Sequence, residues 1–176
     1  QGTVLSPLLF SIYTDSIRSQ EFNVTILKYA DDTVIIGNIA AHDDFSKYLS
    51  EISRITNLCK ANDLLLNASK TNEVIFSTQK ALPDVTHLTL DSTEIIPSES
   101  VKYLGVEIDN KLRFEDHIDA KVSKARQRLY LVKQFKFLGA SDRFLNQIFS
   151  AFVESCFFYC LVVIFCNLYE RDKKSV

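Results

Sequence analysis

Asp31 and Asp32 stand side by side in the stretch KYADDTVIIG, residues 28–37. Neighbouring carboxylates repel one another and offer an apolar sheet nothing, so a use outside packing is the first thing to seek. Oxygen donors of this kind suit Mg²⁺, which takes a few carboxylates and fills its octahedron with water and phosphate. Two such ions roughly 4 Å apart polarise an attacking hydroxyl and stabilise a leaving pyrophosphate. A plain turn is the competing account, because Asp favours turns for its own hydrogen-bonding reasons. The pair alone does not choose between the two.

The flanking sequence must position the pair. The β-rich runs VTILKYA (24–30) and TVIIG (33–37) predict a hairpin with the aspartates at its tip. Ahead of it, Ser6-Pro7 reads as an N-cap and first helical position, and Leu9, Ile12, Tyr13 and Ile17 continue at helical spacing to about residue 19. Behind it, Phe45, Leu49, Ile52, Ile55 and Cys59 form the stripe of an amphipathic helix over 43–61, with Asn62 as its C-cap. A strand is predicted over 72–78 and a second hairpin turning at Asp91-Ser92. A half-buried strand follows over 101–109, where Leu104, Val106 and Ile108 alternate with Tyr103, Gly105 and Glu107. A long helix then carries Ile118, Val122, Ala125, Leu129 and Val132 as a narrow stripe, with Lys121, Lys124, Arg126, Arg128, Lys133 and Lys136 on its other faces. Gly139 ends it, Ser141 caps the next, and a final buried apolar helix runs to about Leu168.

Charge is divided along the chain. Residues 1–100 hold 7 Lys+Arg against 13 Asp+Glu, whereas 101–176 hold 13 against 9. An acidic part suited to metal and a basic part suited to a polyanion fit this division, as does chance scatter of surface charge. Cys59, Cys156, Cys160 and Cys166 lack zinc-site spacing, and free Cys in apolar segments behaves as a small hydrophobe, so reduced, structural thiols and an intracellular setting are expected. The apolar run CFFYCLVVIFC is too short to span a bilayer, for which roughly 20 residues are needed, so no membrane association is expected. With no Met, and opening in mid-pattern on Gln1-Gly2, the 176-residue chain reads as a piece of a longer polypeptide.

The stretches QGTVLSPLLFSIYTDSI, YADD, LNASKTNEVIF and VKYLGVEIDNKLRFEDHI follow one another in that order with little between them. Together they resemble the second half of a non-LTR (LINE-type) retrotransposon reverse transcriptase, and the likeness continues into VESCFFYCLVVIFCNL. The resemblance implies an α+β fold. Residues 1–112 would be a truncated reverse-transcriptase palm, a ferredoxin-like sheet lacking its first strand, and residues 113–176 an α-helical thumb. It also implies an RNA-directed DNA polymerase using two Mg²⁺ ions, with Mn²⁺ as the substitute. Asp31 and Asp32 match the catalytic, metal-binding aspartates, Asp31 being the principal ligand. Gln1, Gly2, Ser6 and Tyr29 match residues lining the nucleotide and template site, and Lys70 matches a lysine near the incoming triphosphate. Tyr103, Leu104 and Gly105 match the primer grip; Lys121, Lys124 and Arg128 would track duplex phosphates. Each has a plainer account as well: a helix cap for Ser6, a solvated lysine for Lys70, strand packing for 103–105 and a solvated face for the basic helix.

The implied partners are an RNA template, a DNA primer, deoxynucleoside triphosphates and the missing N-terminal part of the same polypeptide. The family carries a further catalytic aspartate upstream of the QG motif, which this chain does not contain, so the chain alone is expected not to polymerise. Two other readings stay open: a non-catalytic nucleic-acid-binding remnant, and a decayed element copy.

Overall fold

The computed structural model describes residues 4–40, 42–77, 88–90 and 92–165. The predicted site residues Gln1 and Gly2 lie outside them, as do Cys166 and the end of the predicted last helix. Among the described residues helices are mixed with three separate two-stranded antiparallel sheets, an α+β mixture. The chain divides into two compact units, one of residues 1–71 with Leu88–Ile95, the other of residues 72–87 with 96–176.

In the first unit, helix α1 (Ser6–Tyr13) precedes strands β1 (Val24–Tyr29) and β2 (Asp32–Gly37), then helix α2 (His42–Ala61) and the short strands β3 (Leu88–Leu90) and β4 (Thr93–Ile95). Helix α2 forms where its periodicity predicts. Its end is a Schellman motif: Asp63 takes φ +53°, Leu64 N–H donates to Cys59 C=O at 2.8 Å and Asp63 N–H to Lys60 C=O at 3.1 Å. The apolar stripe of α2 has two neighbours. Ile55 and Cys59 pack with Ile17, Ile26, Ile35 and Leu64, while Ile52 packs with Leu88, Leu90 and Ile95.

Helix α1 is shorter than its pattern. It ends at Tyr13, where the Thr14 hydroxyl bonds back to Phe10 C=O at 2.9 Å and the following N–H groups turn to three-residue bonds. Ser6 is its first helical residue and not its N-cap; Leu5 holds that place. Leu8, Leu9 and Ile12 stay exposed, and of the predicted stripe only Ile17 is buried. A periodic apolar pattern requires a facing surface as well as a helix, and none covers this one among the described residues.

The strand predicted at 72–78 is also absent over 72–77. Strands exist only as partners, and over 72–77 no ladder forms among the described residues, where Ser98 N–H donates to Glu73 C=O at 2.8 Å.

In the second unit the single strand expected over 101–109 is instead a hairpin, β5 (Ser100–Tyr103) with β6 (Val106–Asp109). Leu104 and Gly105 take φ +45° and +83°, the left-handed pair that closes a two-residue turn matched to strand twist. Helix α3 (Glu115–Phe137) follows. The Asp109 carboxylate builds the connection, accepting from the N–H groups of Lys111, Arg113 and Phe114 at 2.9, 2.9 and 2.7 Å. Burial acts to raise its pKa, but those donors outweigh burial and hold the carboxyl below its usual range. Val106, Phe114, Ile118 and Ile164 make one core cluster, and Ala125, Val153 and Cys156 another.

The last predicted helix is not continuous. After α4 (Asp142–Ile148), capped by Ser141 as its sequence suggests, residues Phe149–Glu154 are π-helical. Then come α5 (Ser155–Phe158) and α6 (Leu161–Phe165), separated by Cys160 at φ +56°. Nor is this segment buried. Cys156 and Ile164 point inward, whereas Phe158, Val162 and Val163 are exposed. Among the described residues no helix is long and apolar enough to cross a membrane.

Candidate functional site

The aspartate pair sits on a hairpin whose faces differ. Cross-strand partners share a face, so Val24, Ile26 and Lys28 lie with Gly37, Ile35 and Thr33. This face holds the core residues, and Gly37 marks its closest approach: a Cβ there would lie 2.5 Å from Tyr48 Cδ2 on α2. The opposite face carries Thr25, Leu27 and Tyr29 with Ile36, Val34 and Asp32. It is uncovered, with Tyr29 63% exposed and Leu27 and Ile36 each 48%.

The tip differs by one residue from the sequence expectation. Tyr29 pairs with Asp32, so Ala30 and Asp31 form the turn and Asp32 opens β2. Ala30 adopts φ +53°, a left-handed conformation that costs an L-residue roughly 1 kcal/mol. Both carboxylates are exposed. Asp32 and Tyr29 therefore stand together on the open face, with Asp31 beside them at the turn.

A residue that the sequence reading passed over anchors this hairpin. Lys28 Nζ donates to Thr14 C=O at 2.6 Å, just past the end of α1, sharing that carbonyl with Ile17 N–H at 3.0 Å. The sequence signal is a lysine on the inward-facing register of an otherwise apolar strand. On the far side of α1, Tyr13 Oη donates to Asn62 C=O at the end of α2. The loop between α1 and β1 is fixed by Glu51, whose residue is only 2% exposed. Arg54 meets both its oxygens, at 2.9 and 2.7 Å, and Gln20 N–H donates to it at 2.9 Å. The Arg54 guanidinium, with help from Gln20 and Ser19, holds this carboxyl below its usual range despite burial.

Of the other first-unit candidates, Ser6 is half-buried at the start of α1, and Lys70, exposed, ends the 3₁₀ turn Ala68–Lys70. In the second unit, Tyr103, Leu104 and Gly105 together form the end of the β5–β6 hairpin. Of the basic residues on α3, Lys124 is exposed. Lys121 places Nζ 5.9 Å from the Tyr159 ring centroid. Arg128 is engaged inside the unit: Nη1 donates to Phe152 C=O at 2.6 Å, within the π-helical segment, and its guanidinium lies 5.8 Å from the Phe152 ring centroid. His117 is 4% exposed, and its Nδ1 accepts from Glu107 N–H at 3.1 Å. Burial lowers its pKa, Lys121 and Lys102 adding to the effect against Glu107.

Exposed carboxylates are the hard oxygen donors that Mg²⁺ prefers, so Asp31 and Asp32 fit part of a divalent-cation site. Among the described residues no cluster of three His, Cys, Asp or Glu side chains completes one.

Residues 1–108 match the family model described as "Reverse transcriptase (RNA-dependent DNA polymerase)". The chain is also similar to an RNA-directed DNA polymerase from the mobile element jockey of Drosophila funebris, 31% identical over 73% of this chain and 15% of that protein. The jockey polymerase of Drosophila melanogaster is 27% identical over 93% of this chain and 19% of its own length. The probable RNA-directed DNA polymerase from transposon BS of Drosophila melanogaster is 26% identical over 73% and 15%. The chain thus spans about 15–19% of the length of these curated relatives. No solved structure matches it.

Proposed function

The chain belongs to the reverse transcriptase (RNA-dependent DNA polymerase) family, in its non-LTR retrotransposon branch, and on that premise we propose that it provides the later palm and the thumb of an RNA-directed DNA polymerase. Residues 1–112 form the palm part and 113–176 the thumb part. Substrates are an RNA template, a DNA primer and deoxynucleoside triphosphates. The observation that carries this reading is the Asp31–Asp32 pair, exposed at the turn of a hairpin anchored on its other face by core packing.

Asp31 and Asp32 would hold divalent metal, Mg²⁺ in the first instance, together with a carboxylate from elsewhere in the polypeptide. When bound, a pair of such ions supplies activation of the primer hydroxyl and charge neutralisation at the leaving pyrophosphate. This chain's residues do the placing. The hairpin fixes both carboxylates to one turn, and Lys28 ties that hairpin to the end of α1. Tyr29, on the face of Asp32, gives an exposed ring for a nucleotide or template base to lie against. By their match to the family's motifs, Ser6, Gln1 and Gly2 are assigned to template and nucleotide binding, and Lys70 to the triphosphate charge. Tyr103, Leu104 and Gly105 hold the primer end, where a residue without a side chain allows close approach. Lys121 and Lys124 contact duplex phosphates without regard to sequence. The chain by itself does not polymerise, because two adjacent carboxylates cannot complete a two-ion site.

Primer extension by the complete polypeptide tests this. Asp31→Ala abolishes synthesis and leaves duplex binding nearly intact. Synthesis that survives the substitution refutes the assignment, and duplex binding indifferent to Mg²⁺ and Asp31, without synthesis by the unaltered protein, supports the non-catalytic remnant.

A further inference from the structure

A hydrogen bond joins the segment between α5 and α6 to the β5–β6 turn. Tyr159 Oη donates to Leu104 C=O at 2.7 Å. Its ring also lies beneath the turn, with Cε1 3.8 Å from where a Gly105 Cβ would stand. Tyr159 is held there from its C-terminal side. Cys160, at φ +56°, breaks the chain between α5 and α6, and Ile164, 2% exposed, anchors α6 in the cluster with Val106, Phe114 and Ile118.

The turn has reason to need support. Leu104 is not glycine, yet it holds φ +45°, a conformation that β-carbon crowding disfavours. A hydrogen bond to its carbonyl from outside the hairpin offsets that strain and selects one turn geometry. The same ring sits under the Lys121 ammonium, 5.9 Å from its centroid, so the turn and the basic face of α3 share one side chain.

We propose that Tyr159 is a positioning residue for the primer, holding the Leu104–Gly105 turn in register with Lys121 through its hydroxyl and its ring. This rests on the reading of residues 103–105 as the primer grip. Tyr159 touches neither substrate nor metal in this role; it acts through the turn.

The test is steady-state primer extension by the complete polypeptide carrying Tyr159→Phe, with KM for primer–template and for nucleotide measured separately. The expected result is a primer–template KM raised about three- to ten-fold, the effect of one lost hydrogen bond, with kcat and the nucleotide KM within two-fold. Gly105→Ala serves as the reference. If Gly105→Ala raises the primer–template KM and Tyr159→Phe does not, the role of Tyr159 is overturned alone. If neither changes it, the primer-grip reading falls. A Tyr159→Phe protein whose kcat and both KM values worsen together also overturns the proposal.

Discussion

Lys28 reaches from the inner face of the aspartate hairpin to the carbonyl of Thr14, 2.6 Å away, just past the end of α1. That bond joins the element carrying Asp31 and Asp32 to the helix that carries Ser6. An ammonium at a helix C-terminus also meets the negative end of the helix dipole. Lys28→Met keeps most of the aliphatic stem and removes the bond. It should lower stability by about 1 kcal/mol in urea unfolding and reduce primer extension by the complete polypeptide, with the nucleotide KM more affected than duplex binding. A variant with unchanged kinetics would reduce Lys28 to a stability role.

Gly37 is required by contact rather than by its backbone angle. A Cβ at that position meets the Tyr48 ring at its root, 2.5 Å from Cδ2 and 3.1 Å from Cγ, where the ring cannot simply swing aside. Gly37→Ala therefore forces β2 away from α2 and should cost about 1–3 kcal/mol in chemical denaturation. Paired with Tyr48→Ala, the penalty of the glycine substitution should largely disappear in a double-mutant cycle.

The buried Glu51 and the buried His117 give stability opposite charge states but the same pH trend. Glu51, held ionised by Arg54, has a folded pKa below its unfolded value, so its contribution is complete above the unfolded carboxylate range near 4.3 and fades as pH falls through the folded value. His117 is depressed by burial, and a depressed histidine pKa favours the neutral ring. Its contribution is complete above about pH 6.5 and declines as pH falls toward its folded pKa. Melting temperature should thus begin to drop below about pH 6.5, then drop again in the acid range. His117→Asn should remove the first decline and Glu51→Gln should lessen the second, to which Asp109 also contributes. If His117→Asn leaves the first decline in place, another group is responsible.

Lys124 and Arg128 lie four residues apart on α3, but they are used differently. Lys124 is exposed, whereas Arg128 bonds the Phe152 carbonyl at 2.6 Å. Lys124→Ala should weaken duplex binding evenly across sequences and flatten the dependence of log K on log salt by close to one unit. Arg128→Ala should instead destabilise the second unit by about 1–2 kcal/mol, through the lost carbonyl bond, with a smaller change in salt dependence. Equal salt effects from the two would show that Arg128 leaves its internal partner when the duplex binds.

Local pattern by itself determined a good deal. The spacing of Phe45, Leu49, Ile52, Ile55 and Cys59 specifies α2, and alternating β-rich runs specify the hairpin that displays Asp31 and Asp32, because each depends on residues close in sequence. The ordered motifs identified the family, which the match over residues 1–108 bears out. Tertiary structure decided what periodicity cannot encode. The stripe of α1 remains open, 72–77 form no strand, and the last apolar run breaks at a π-helical segment and at Cys160. A strand or a buried face exists only when a partner surface meets it. The supporting contacts of Lys28 with Thr14 and of Tyr159 with Leu104 were equally hidden from the sequence: they join residues 14 and 55 positions apart. Such pairings are fixed by how packed elements meet, and no local spacing along the chain announces them.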